Sequence, residues 1–418
     1  MSKGSTNARN RFLAFRKIGR KLVLAWIICM MPLLSGCWDL RYLDRLGVVL
    51  ALGVDEDPSG KNKLELTVQV VLPQNVAAEA KGSIGGTAVT TFTEKGDTLF
   101  EAIRKMSTKT SRRLFFSHTQ MLIISEKMAK KGIYPLVDLI ERNPDIRTDI
   151  SVIVTRGVRA KDMLQLTTQM ESIPVNQLRE MVEVNQSAYA SGYVVKVKEL
   201  TRLLGGGKQQ AVLPSVRIEG NKEEGHSNDN TNSIPAKAIP VLSTMAVFRE
   251  GKLIDYLKPR DSRGLSWLQN KVESTVIKMG CPETEGELIV EVQDTATVYK
   301  VKQGPDGNPT IEVHISVVGG IQEIMCHGVN ISDEKVLVTV GKMTSKAIEE
   351  EVAGTINSLQ KKFRSDVLGW GKEVYFNEPN IWRKIEGDWE DIFPQVKSKV
   401  ICSTTITGSG IRGESISK

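Results

Sequence analysis

The chain has 418 residues, 40% hydrophobic and 25% charged, which suits a folded protein with more than one core. Its formal net charge of +7 would fit a polyanionic partner. However, seven of the 56 Lys and Arg fall in residues 1–36, which hold no acid, and the remaining 49 balance the 49 Asp and Glu. The surplus belongs to the leader, which argues against nucleic acid as a partner.

The leader has the layout of a secretory signal. A basic segment ends at Lys21, and the apolar run Leu22 to Leu34 follows. That run is thirteen residues, where a membrane-spanning helix needs roughly 20. Then come Leu34-Ser35-Gly36-Cys37, which resemble a bacterial lipobox. The small residues let a peptidase approach the backbone between Gly36 and Cys37, and the Cys37 thiol is the nucleophile that accepts diacylglycerol. The mature protein would then start at Cys37.

Beyond a short tether, Trp38 to Asp44, the apolar stretch Leu46–Val54 ends in Asp55 and predicts a strand. Leu64–Leu72 alternates apolar and polar residues and predicts a half-buried strand. Gly82 to Thr91 reads as a loop. Asp97 or Thr98 caps a helix carrying Leu99, Ala102, Ile103 and Met106. Gln120–Ser125 is a strand, Lys127–Arg142 a helix bent near Gly132 and Pro135, and Ile150–Thr155 a strand. Residues 219–235 have no apolar period and read as a flexible linker or exposed loop. The expected organisation is thus a signal peptide at 1–36, an N-terminal α+β region at 37–218, the linker, and a C-terminal α+β domain at 236–418. The fold class is α+β, multi-domain, with mixed sheets and packed helices.

In the second half, Met245–Phe248 and Lys252–Leu257 form a hairpin about Gly251. Asp261 or Ser262 caps a helix running through Trp267 to about Ile277. Residues 287–318 read as three strands, with Ile311, Val313, Ile315 and Val317 on one face. The turn Gly304 to Pro309, including Asp306, separates two of them. A long helix is expected from about Glu334 to Phe363, then a strand near Val396–Thr405 and a polar tail.

Catalytic signals are scarce. There is no G-x-S-x-G elbow. Gly205-Gly206-Gly207-Lys208 lacks the upstream glycine and the following Ser or Thr of a phosphate loop, and reads as a turn between strands. His118, His226, His314 and His327 sit in no ligand pattern, and the Cys326-His327 pair does not by itself make a zinc site. No catalytic residue, metal or cofactor is expected. Cys29 leaves with the leader. Cys281, Cys326 and Cys402 read as three buried thiols, with one disulfide as the alternative. Arg263 and Trp267, four apart on one helix face, read either as packing or as a partner contact. Trp370, Trp382, Trp389 and Phe393 read as a core closing over a helix end.

Several of these stretches recur in order in a known family. They are Leu34-Ser35-Gly36-Cys37-Trp38-Asp39; Leu52-Gly53-Val54-Asp55; Ala246 through Leu253; Ser262-Arg263-Gly264-Leu265-Ser266-Trp267-Leu268; and Gln360 through Trp389 with Asp366, Gly369, Gly371 and Trp382. Together they resemble the Ger(x)C lipoproteins, the C subunits of spore nutrient germinant receptors. The segment Tyr256-Leu257-Lys258-Pro259 and Asp261 depart mildly from the family pattern. The resemblance implies a non-catalytic subunit on the outer face of the spore inner membrane, partnered by integral A and B subunits. The rival expectation is an independent solute-binding lipoprotein, which would need a cleft with convergent polar groups.

Overall fold

The computed structural model describes residues 45–79, 86–305, 307–327, 329–331 and 333–408, together with Trp26. The rest of the leader, the lipobox with Gly36 and Cys37, the tether to Asp44, residues 82–85, Asp306 and the last part of the tail lie outside them.

The first sheet has nine strands. Its elements are β1 (Leu46–Asp55), β2 (Leu64–Val71), α1 (Pro73–Glu79), β3 (Val89–Gly96), α2 (Leu99–Lys105), β4 (Arg113–Phe115), β5 (Met121–Ser125), α3 (Glu126–Lys131), α4 (Tyr134–Arg142), β6 (Ser151–Thr155), α5 (Ala160–Gln165), α6 (Pro174–Ala188), α7 (Val197–Gly206), β7 (Val212–Gly220), α8 (Lys222–Gly225), α9 (Asp229–Asn232), β8 (Ala238–Arg249) and β9 (Lys252–Tyr256). The order is β3-β2-β1-β5-β6-β7-β8-β9, with β4 also on β1. The centre, β1-β5-β6-β7, is parallel, and the flanks are antiparallel. Parallel neighbours need crossovers, and the helices between β5 and β7 supply them. Accordingly β5 and β6 are buried along their whole length.

Helix starts follow local chemistry. The Thr98 hydroxyl accepts from Glu101 N at 3.2 Å while Glu101 Oε2 accepts from Asp97 N at 2.7 Å, closing the first turn of α2. The helix expected over 127–142 is two helices, because Gly132 takes φ +129° and its neighbour Ile133 donates to Gly251 O at 2.9 Å. Gly205 and Gly206 end α7, and Gly207 closes it at φ +62°. This stretch is a helix terminus, not a turn between strands.

Three expectations about the first half change. Strand β2 is buried on both faces, with Glu65, Thr67 and Gln69 at 5%, 0% and 0% exposure. The reason is α5, which covers the polar face: Gln69 Nε2 donates to Leu164 O at 2.9 Å and Arg159 Nη2 to Glu65 Oε1 at 2.7 Å. The segment 219–235 is folded. Asn221 caps α8, and the buried Asn230 donates to Thr167 O and Ala238 O and accepts from Ala238 N, all at 2.8–2.9 Å. Beyond it the hairpin β8–β9, expected to open the C-terminal domain, extends the first sheet through β7.

The second sheet has four strands in the order β10-β11-β12-β13. It is built from α10 (Pro259–Leu268), β10 (Thr275–Gly280), β11 (Glu287–Gln303), β12 (Pro309–Ile324), α11 (Glu334–Asn357), α12 (Trp370–Asn377), α13 (Pro379–Ile385), α14 (Trp389–Ile392) and β13 (Lys397–Ile406), with a π-helical stretch Ser358–Phe363 ending α11. Helix α10 starts at Pro259 without a side-chain cap and stops at Leu268. Asn270 turns left-handed at φ +53°, and the β-branched Thr275, Val276 and Ile277 form a strand instead of prolonging the helix. The three strands expected over 287–318 are two long ones, paired from Leu288↔Ile324 to Gln303↔Pro309. Ile311, Val313, Ile315 and Val317 do share the buried face.

One hydrophobic cluster runs through both sheets, joining Leu52, Leu122 and Val152 to Trp267, Val313, Ile348 and Trp370. A second lies under α5 and α6. The third, at the end of the second sheet, is small: Leu288, Val290, Ile321, Ile331 and Val340 around Cys281 and Cys326. These two cysteines are bonded, with Cα atoms 5.7 Å apart, and Cys402 is free. Three separate thiols was the wrong reading, because the turn after β10 and the end of β12 are brought together only in the fold. Alkylation of the denatured, unreduced protein followed by peptide mass spectrometry should label Cys402 and leave Cys281 and Cys326 unlabelled until a reductant is added. Labelling of all three without reductant would contradict the bond.

Candidate functional site

Helix α10 carries both side chains singled out as a partner contact. Trp267 is fully buried. Arg263 turns inward: its Nε and Nη2 reach Glu351 Oε1 and Oε2 at 2.8 and 2.5 Å, and Nη1 donates to Val276 O at 3.1 Å. Glu351, on α11, is 4% exposed. The two helices approach so closely that a Cβ at Gly264 would overlap Thr355 Oγ1 and lie 2.9 Å from Thr355 Cβ and 3.2 Å from Glu351 O. Ser262 Oγ accepts from Met245 N at 3.0 Å, tying the same helix to β8. Thr297 Oγ1 donates to Trp267 O at 2.8 Å, tying it to β11. The stretch Ser262 to Leu268 is therefore a joint between the two sheets, with Trp267 enclosed in it and the half-buried Arg263 spending its guanidinium on Glu351 and Val276 O.

The terminal block makes a second joint around Asp366, which is 5% exposed. Its Oδ1 accepts from Gly369 N and Trp370 N at 2.9 and 3.1 Å, and its Oδ2 from Gly371 N and Trp389 Nε1 at 2.8 and 2.9 Å. Gly369 sits at φ +80°, and a Cβ at Gly371 would lie 2.7 Å from both Lys208 O and Trp389 Nε1. Gln209 and Gln269 both donate to Val367 O, at 3.0 and 2.9 Å. Trp370, Trp382, Trp389 and Phe393 are buried, with edge or tilted ring contacts of 5.5–6.2 Å, and do close the core over the end of α11. Loss of solvent pushes the Asp366 carboxyl up to about 6, against the pull of its four N–H donors.

Asp55 closes a third joint. At the C-terminal end of β1 it accepts from Ala160 N and Lys161 N, both at 2.9 Å, so it caps α5 from 105 residues away. Burial raises its carboxyl, and these two N–H groups, with Arg159, oppose that. Gly53 lets α5 lie close: a Cβ there would be 2.7 Å from Leu164 Cδ1. This is the point where β1 leads one way along the sheet and β5 the other, the position where open α/β sheets bind ligands. Here the helix N–H groups face the chain's own carboxylate.

Among the described residues, no group of three His, Cys, Asp or Glu is placed to hold a metal, and no helix is long and apolar enough to cross a membrane. Cys326 is bonded, so the Cys326-His327 pair is not a ligand pair. His314 stands beside Glu312 at 3.5 Å. His226 lies instead on a cleft of about 740 Å³ between β3, the 164–174 segment and α9, which no sequence motif announced.

Two mixed sheets, with buried, glycine-dependent joints at Gly53–Asp55, Ser262–Leu268 and Asp366–Gly371, define an α+β protein in which these three motifs serve packing. Residues 39–218 match the family model described as the spore germination protein N-terminal domain, and residues 243–410 that described as spore germination B3/GerAC-like, C-terminal. The chain belongs to this Ger(x)C family of spore germination proteins. It is 30% identical to spore germination protein KC of Bacillus subtilis (strain 168) over 405 residues, covering 95% of this chain and 98% of that protein. It is 26% identical to spore germination protein A3 of the same organism, covering 88% and 92%. The crystal structure of the GerBC protein shares the fold, with a TM-score of 0.54 at 16% identity, covering 85% of this chain and 96% of that one.

Replacing Gly264 with Ala should lower unfolding stability in urea by about 1–3 kcal/mol, because overlap with Thr355 forces the helices apart. A midpoint unchanged from wild type would mean that the crossing has slack.

The raised Asp366 carboxyl has a definite sign. From about pH 4 to 6 the folded chain keeps a proton that the unfolded chain has released. This group's stabilisation is thus full below its unfolded pKa and is lost as pH rises through about 6. Asp366→Asn should destabilise at both ends of that range, by on the order of 2 kcal/mol, since an amide cannot accept from donors on both sides. The gap between wild type and variant should be wider at pH 4.5 than at pH 7. A gap that widens towards neutrality would show that the donors outweigh burial.

Proposed function

We propose that the chain is a non-catalytic lipoprotein subunit of a spore nutrient germinant receptor, needed for nutrient-triggered germination. It is anchored through diacylglycerol on Cys37 and scaffolds two integral membrane subunits, A and B, at the outer face of the spore inner membrane. The observation that carries this reading is the match to the family over nearly the whole chain beyond Cys37. Two further features support it. The motifs Ser262–Leu268 and Asp366–Gly371 are occupied in packing contacts, and the helix end where an open α/β sheet would take an anionic ligand is filled by Asp55.

The lipid gives the scaffold its leverage. Burying acyl chains contributes roughly 0.8 kcal/mol per CH₂, so two or more chains hold firmly. Confinement to a plane then raises the effective concentration near membrane partners, so modest contacts suffice for assembly.

Two measurements test this. In cells lacking the A and B subunits, wild type should sediment with membranes and Cys37→Ala should not; membrane retention of the variant would refute lipid anchoring. Affinity capture of the tagged protein from solubilised dormant-spore membranes should recover a transporter-like protein and a second integral membrane protein. Recovery of the lipoprotein alone, from an extract that keeps other complexes intact, would refute the scaffold role.

A further inference from the structure

The cleft beside β3 has a composition unlike the rest of the surface. Charged residues make up 25% of the chain, yet none of the nineteen described residues lining the cleft is Asp, Glu, Lys or Arg. Twelve of them are Thr, Ser, Asn, Gln or His. The space, about 740 Å³, lies within the range of roughly 300–1,000 Å³ that holds small molecules.

The polar side chains are held at one end and open at the other. Gln165 Nε2 donates to Thr91 Oγ1 at 3.2 Å, which orients the amide and leaves Gln165 Oε1 without a protein partner among the described residues. Gln169 Nε2 donates to Ser233 O at 2.6 Å and Asn230 O at 3.3 Å, leaving its Oε1 likewise open. Thr167 Oγ1 is fixed by Gly225 O and Ser227 O at 3.0 and 2.9 Å. His226 Nε2 lies 3.2 Å from Asp162 O; a carbonyl only accepts, so Nε2 is the donor, and this bond orients the ring. The wall that carries these groups is held by Asn230, which is 1% exposed and hydrogen-bonded on both of its polar ends. Val89 and the exposed Met170 add apolar surface.

Oriented amide oxygens and hydroxyls, beside apolar surface and with no charge among the described lining residues, match a ligand that has many hydroxyl groups and no net charge. A charged ligand would lose its hydration here without gaining a counter-charge from the described lining residues. We propose that this cleft is a binding site for a neutral, hydroxyl-rich small molecule of sugar or cyclitol size. The site does not depend on the receptor role, and either can fail without the other.

The test is calorimetric titration of the detergent-solubilised full-length chain with glucose, myo-inositol and inosine, and with L-glutamate as the charged comparison. At least one neutral probe should bind saturably, and glutamate should not. Gln165→Ala and His226→Ala should each weaken that binding by about tenfold, one polar contact's worth. Thr91→Val, which keeps the side chain's shape, should weaken it as well, with an unfolding midpoint close to wild type. Saturation by none of the neutral probes at up to about 20 mM, a very weak affinity, would overturn the proposal. So would tighter binding of glutamate, or affinity for the neutral probe that is unchanged in all three variants.

Discussion

The architecture beyond residue 258 depends on how closely α10 can lie against α11. Gly264 sets that distance, because any Cβ there would meet Thr355. At the same crossing Arg263 lies against Glu351, a carboxylate with 4% exposure. Such a pair adds little net stability relative to apolar packing, since both ions lose their water. Its effect is on alternatives: with the helices shifted, Glu351 would be buried without its partner, and that is costly. The steric and the electrostatic constraint therefore favour one register. Ser262 and Thr297 carry that register into β8 and β11, which is how one apolar cluster comes to run through both sheets.

The other recurring motifs follow the same logic. At Gly53 and Asp55, a missing side chain admits α5 and a carboxylate caps it. At Asp366, Gly369 and Gly371, a carboxylate gathers four donors and the glycines let the chain pass Gln209 and Lys208. Each joint pairs a close approach that only glycine allows with a buried polar group that needs its partners. Neither half works alone. Close approach without the acceptor would leave N–H groups buried and unpaired, and the acceptor without close approach would be out of reach.

Much of this fold was legible because burial follows period. The apolar run ending at Asp55, the face of Ile311 to Val317, the Thr98 cap and the long helix from Glu334 all came from local pattern. The misreadings share a cause, which is distance in sequence. Strand β2 reads as half-buried because its polar residues meet α5, almost a hundred residues later. The segment 219–235 reads as a linker because the partners of Asn230 lie at Thr167 and Ala238. Arg263 and Trp267 were ambiguous without Glu351, 88 residues away. The Cys281–Cys326 bond spans 45 residues, and no local signal chooses that pair over Cys402.

The same reasoning separates where this chain can and cannot offer chemistry. The C-terminal edge of the parallel strands is the ordinary ligand site of such a sheet, and here the chain fills it itself: Asp55 takes the N–H groups of α5, and Arg159 bridges to Glu65. An added ligand would have to displace a buried carboxylate that is already hydrogen-bonded, at a cost no small contact offsets. The cleft beside β3 is built the other way. Its amides are fixed through their N–H₂ ends to the protein, and their oxygens are left open. The first arrangement satisfies its donors and acceptor within the chain, whereas the second leaves amide oxygens without a partner among the described residues, so only the second has groups to spare for recognition.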